Sequence, residues 1–172
     1  MKSAGSKINL VCYDDFRWFS EDLKTHFDSS AYITSAFINV EEFMLYIEKN
    51  PVPDYCRIAI LGAHDTTENF EMIGRLSKEI KNIDPSTGII LIGTHDKMEE
   101  IRKIIPSGID AYIPKNTNLI LRLKNSVQKL VSAHNIRKSR RKRNLAFLLF
   151  AFLGIIIITL SVIALIKLPR LF

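Results

Sequence analysis

"RIAILGAHD", residues 57–65, is the stretch on which the fold turns, its first five residues "RIAIL" (57–61) forming a β-like run. Ile58, Ala59, Ile60 and Leu61 are apolar without alternation. Side chains of a strand point by turns to two faces, so an unbroken apolar run needs cover on both. "KINLVCY" (7–13) and "GIILIG" (88–93) read the same way, and "AYITSAFI" (31–38) and "DAYI" (110–113) complete five β-like runs. Each is followed by helix-like patterning, over 16–28, 40–49, 67–82, 96–105 and 117–134. Five alternating β/α units predict a doubly wound five-stranded parallel sheet with helices on both faces.

Local signals agree with that alternation. Asn39 is placed to cap a helix whose first turn carries Glu41 and Glu42, the sign the helix dipole favours. Asp96 precedes "KMEEIRKII" and Asn116 precedes "TNLILRLKNSVQKLV", where Leu119, Leu123, Val127 and Leu130 fall on one helical face. "NPVPD" (50–54), "DPSTG" (84–88) and "PSG" (106–108) supply turns. Folds of this class place their sites at the C-terminal ends of the strands. That edge should gather Asp14 and Asp15, Gly62 to Asp65, Gly93 to Asp96, and Lys115.

Charge divides the 172-residue chain. All 18 acidic residues lie at or before Asp110, whereas the last eight of the 24 Lys and Arg lie beyond residue 133. The alkaline pI of about 9.4 therefore describes the C-terminal segment, and the first 133 residues are near −2. This argues against nucleic acid as the partner of the body. "LAFLLFAFLGIIIITLSVIALI", residues 145–166, is an uncharged apolar run. At about 1.5 Å per residue it reaches roughly 33 Å, enough for a hydrocarbon core of about 30 Å, and predicts a transmembrane helix. Arg137, Lys138, Arg140, Arg141, Lys142 and Arg143 precede it, against Lys167 and Arg170 after it. That bias predicts an N-terminal domain in the cytoplasm, with the six cations at the membrane surface. "MKSAGSKINLVCYDDF" carries no apolar stretch of signal-peptide length. The expected parts are a cytoplasmic domain over 1–133, a basic juxtamembrane linker over 134–144, the helix 145–166 and a short non-cytoplasmic tail over 167–172.

Other chemistry is sparse. Cys12 and Cys56 fall in or beside apolar runs and read as buried thiols. His64 and His95, with Asp65 and Asp96 nearby, read as loop residues rather than a metal site. Phe16 and Phe19 share a helical face and read as core, while Trp18 points elsewhere, toward solvent or a partner. Gly154 and Ser161 share a face of the apolar run, a weak helix-pairing signal. No Ser/His/Asp set, Gly-rich phosphate loop or Cys/His cluster appears, and no enzyme is expected.

Residues 6–133 resemble the receiver domain of bacterial two-component response regulators, a flavodoxin-like fold. "LVCYDDF" looks like its first strand ending in an acidic pair, "GIILIGTHD" like its fourth strand and loop, and "GIDAYIPKN" (108–116) like its fifth strand ending in a lysine. The resemblance implies Mg²⁺ binding by the pair, phosphorylation of an aspartate ending strand three, and a lysine that steadies the phosphate. It also implies a Ser or Thr ending strand four and an aromatic residue on strand five that moves with it. Asp14 and Asp15 match the pair, Lys115 the lysine and Tyr112 the aromatic residue. Gly62 stands where the acceptor aspartate belongs, and Gly93 where the hydroxyl belongs, with Thr94 one step on.

A glycine has nothing to phosphorylate. The resemblance therefore implies a degenerate receiver, a pseudo-receiver with a vestigial site, no resident cofactor and at most weak Mg²⁺ binding at Asp14 and Asp15. An ion pair of Lys115 with Asp15 is the expected replacement. The expected role is docking, scaffolding or regulation through protein partners at about 96–133 and through the apolar helix, at a bacterial inner membrane. The alternatives are an active receiver with an atypical acceptor such as Asp65, and a structural subunit of a larger inner-membrane motility or secretion assembly.

Overall fold

The structure, a computed structural model, describes residues 7–14, 17–27, 30–50, 56–63, 66–94 and 108–167, without the side chains of 17–20, 67, 141–142, 145–146, 148 and 161–167. The strands are β1 Ile8–Tyr13, β2 Tyr32–Phe37, β3 Arg57–Gly62, β4 Gly88–Gly93 and β5 Ala111–Pro114. The helices are α1 Arg17–His26, α2 Val40–Lys49, α3 Thr67–Ile83 and α4 Leu119–Lys167. All pairings are parallel, in the order β2-β1-β3-β4-β5. The predicted helix over 96–105 lies outside the described residues. The chain divides into two compact units, Met1–Ser132 and Ala133–Phe172.

In the first unit the strand alternation sends side chains into two cores. Val11, Tyr13, Ala59, Leu61, Ile89 and Leu91 meet Phe43 and Ile47 of α2 and Phe70, Ile73 and Ile80 of α3. Leu10, Cys12, Ile58, Ile60, Ile90, Ile92 and Ile113 meet Leu23 of α1 and Leu119, Leu123 and Val127 of α4. β3 is buried at every residue, which is why its sequence shows no alternation. Each fully buried Ile, Leu or Phe contributes about 1.5–3 kcal/mol, so the central strands carry much of the fold.

Polar groups fix the ends of the elements. Asn39 caps α2 by accepting the Glu41 N–H at 2.7 Å, as its position predicts. Arg57, buried at the start of β3, closes the other end of α2 by donating to the carbonyls of Ile47 and Asn50. Asp110, just before β5, accepts from Lys81 Nζ of α3 at 2.9 Å and from the Ile89 N–H at 2.8 Å. That contact fixes where β5 starts, and hence where Lys115 emerges.

The last helix runs on past its expected end at 134. Residues 134–144 are helical and belong to α4. They hold no glycine or proline and many Lys and Arg, which are good helix formers. Among the described residues no helix is long and apolar enough to cross a membrane. Within the apolar run the described side chains are Phe147 and those of 149–160, short of the roughly 20 residues that a span takes. The large apolar side chains described there are exposed, among them Phe147 at 77% and Phe150 at 76%.

Candidate functional site

Parallel register brings four strand ends to one edge. Tyr13 pairs with Leu61, Gly62 with Ile92 and Gly93 with Pro114. The backbone stays tied one residue further: Asp14 N–H donates to Phe37 O, Ala63 N–H to Ile92 O and Lys115 N–H to Gly93 O. The register thus brings Asp14, Gly62, Gly93, Thr94, Tyr112 and Lys115 to the same edge of the sheet. Asp15, His64, Asp65, His95 and Asp96 lie outside the described residues, and with them the expected pair of Lys115 with Asp15.

The two glycines are explained by what covers them. A Cβ on Gly62 would lie 2.6 Å from Asp14 Oδ1 and 2.8 Å from its Cγ. Such approaches do not occur between real atoms, so the Asp14 carboxyl group already fills the space above Gly62. Asp14 is only 5% exposed. A Cβ on Gly93 would lie 3.1 Å from the Tyr112 hydroxyl and 3.5 Å from its ring. Tyr112 lies across the end of β4 and donates its hydroxyl hydrogen to Thr94 O at 2.7 Å. The spaces above the two glycines are occupied by side chains from the end of β1 and from β5.

This arrangement has limited chemistry. The described part of the edge carries one buried carboxylate, one ammonium on half-buried Lys115 and a phenol committed to a carbonyl. Gly62, at the end of β3, offers no side chain of its own to attack phosphorus. No group of three His, Cys, Asp or Glu suited to a metal occurs among the described residues. Burial pushes the Cys12 thiol far above its ordinary range, with the charge of Asp14 adding to the effect. Burial, and then Asp84, push the Cys56 thiol up to about 11. Both cysteines are free and buried, and neither is a thiolate near neutral pH.

A cavity of about 200 Å³ opens beside Asp14, lined also by Glu21 and Lys24 of α1 and by Ala36, Phe37 and Ile38 at the end of β2. Of the surface expected to meet partners, 96–107 lies outside the described residues. On the remainder Leu121 is 61% exposed among polar neighbours. Sequence reading missed three positioning contacts: Asp110 with Lys81, Arg57 with the end of α2, and Tyr112 with Thr94. All pair residues far apart in the chain or use backbone carbonyls, which no spacing rule exposes.

No family model and no curated protein matches the sequence. Solved structures do match the fold. One is the signal receiver domain of an HD domain-containing protein from Pseudomonas fluorescens Pf-5, at 16% identity and a TM-score of 0.63, covering 81% of this chain and 98% of that one. Another is a CheY-like response regulator receiver domain protein from Methanospirillum hungatei JF-1, at 16% identity and 0.62, covering 77% and 99%. A third is a response regulator protein from Thermotoga maritima in complex with Mg²⁺-BeF, at 22% identity and 0.56, covering 72% and 98%. The fold is that of a response-regulator receiver, five parallel strands of the flavodoxin-like kind.

Proposed function

We propose that the chain is a non-phosphorylatable, receiver-like protein held at a membrane, acting as a docking, scaffold or regulatory module through protein contacts. One observation carries the reading: the Asp14 carboxyl group lies where an acceptor on β3 would begin, above Gly62. A signalling receiver needs an accessible nucleophile there, a carboxylate able to form an acyl phosphate. The chain instead fills the position with a buried carboxylate from the end of β1. It has no phosphorelay chemistry and no catalytic activity of its own, and Mg²⁺ binds weakly at most. Partners meet it at 108–133, where Leu121 stands exposed, and at the neighbouring 96–107.

The membrane part of the proposal rests on the uncharged run 145–166 and on the exposure of its described apolar side chains. The cations at 137–143 orient it with the receiver-like domain in the cytoplasm of a bacterium, at the inner membrane. Incubation of the full chain with acetyl phosphate and Mg²⁺, followed by intact mass measurement, tests the chemistry. No phosphoryl adduct is expected. An adduct mapping to Asp65 or another carboxylate would assign the chain to active phosphorelay receivers.

A further inference from the structure

The helical placement of the six cations at 137–143 says more than their number does. This inference rests on the membrane reading of 145–166. At about 100° per residue, positions 137, 141, 138, 142, 143 and 140 fall near 0°, 40°, 100°, 140°, 240° and 300° around α4. No gap exceeds about 100°, so no side of the helix lacks a cation. A helix that docks on a duplex or in an acidic groove collects its cations on the one face that meets the partner. A ring of cations matches a plane of anions that the helix pierces.

The dimensions fit such a plane. Residues 137 to 143 rise about 9 Å along the helix, close to the roughly 5–8 Å of headgroup region on each side of a bilayer core. Arg137, Arg140 and Arg143 are exposed, and the sequence from 111 to the apolar run carries no acidic residue. Four of the six are arginines, whose planar fork binds phosphate oxygens in pairs, where lysine acts as a point charge. The exposed side chains of Phe147 and Phe150 follow directly.

We infer that residues 137–143 form a closed collar that gathers anionic phospholipid headgroups, through their phosphates, around α4 where it enters the bilayer. The test uses the full chain reconstituted in phosphatidylcholine vesicles carrying a trace of spin-labelled phosphatidylglycerol or spin-labelled phosphatidylcholine. The restricted fraction should favour phosphatidylglycerol by about fivefold in 0.1 M salt and lose that preference in 1 M salt. Arg137→Gln with Arg141→Gln, and Lys142→Gln with Arg143→Gln, remove charge from opposite sides of the ring. Each pair should reduce the preference to a similar extent.

Equal restriction of both lipids, with the protein still resisting an alkaline wash, would overturn the collar and leave the anchor standing. Loss of the protein in that wash would overturn the anchor itself, and the collar with it. A silent pair would reveal a one-sided contact and refute the ring. Abolition of the preference by added duplex DNA in 0.1 M salt would assign the cations to nucleic acid instead.

Discussion

Gly62→Ala is the substitution that the Asp14 geometry penalises most directly. The new Cβ would stand 2.6 Å from Asp14 Oδ1, 2.8 Å from Cγ and 3.2 Å from Cβ. The whole Asp14 side chain has to leave its buried place, where it is 5% exposed, for the cavity that opens beside it. Overpacking of this kind costs about 1–3 kcal/mol. The unit Met1–Ser132 has 132 residues. At about 2.1 cal/mol/K per residue its unfolding entropy is near 0.28 kcal/mol/K, so Tm should fall by about 4–11 °C. Thermal unfolding of the detergent-solubilised full chain, followed by circular dichroism, reads that change. The double variant Asp14→Ala with Gly62→Ala should be less destabilised than the sum of its parts, by about the same 1–3 kcal/mol. A Gly62→Ala protein melting within about 1 °C of wild type, or strict additivity in the double variant, would refute the steric account. The same geometry alters what Gly62→Asp can do. A carboxylate on β3 needs Asp14 moved first, so it fits only together with Asp14→Ala.

Tyr112→Phe removes the hydroxyl that donates to Thr94 O and should cost about 0.5–1.5 kcal/mol. Hydrogen exchange should quicken at the Lys115 amide, which bonds Gly93 O beside it, and unchanged exchange would show that the hydroxyl does not hold these strand ends. Asp84 resists ionisation through burial, but bonds from Ser86 and Thr87 and the charge of Arg57 outweigh that and hold its carboxyl below the usual range. Its stabilisation is then present above the unfolded value of about pH 4 and is lost as pH falls through the lower folded value. Asp84→Asn should be less stable than wild type at pH 6, with the gap in urea midpoint narrowing as pH falls below about 4, and a gap independent of pH would contradict the assignment.

The positions of the strands were legible because apolar periodicity is a local property. β4 begins and ends where "GIILIG" does, and the other strands agree to within a residue at either end. α2 matches its predicted span because Asn39 caps it with a bond to a residue two positions away. The predicted end of the last helix near 134 failed for a related reason. The change from apolar to basic residues reads as a boundary, but the helical backbone needs only residues that tolerate it, and α4 continues to Lys167.

The glycine that ends β3 was legible too, since Gly62 is a single letter at the end of an unmistakable strand. What covers it was not. That the Asp14 side chain turns over β3, and that Tyr112 crosses Gly93 to reach Thr94 O, depends on which strands the register sets side by side. The sequence by itself determined the alternation of elements, the buried central strands, the two glycines and the separation of an acidic body from a basic, apolar end. Only the tertiary structure decided that side chains from two other strands cover the two glycines. Their contacts join residues 18 to 48 positions apart, and packing between such distant residues leaves no periodic mark on the chain.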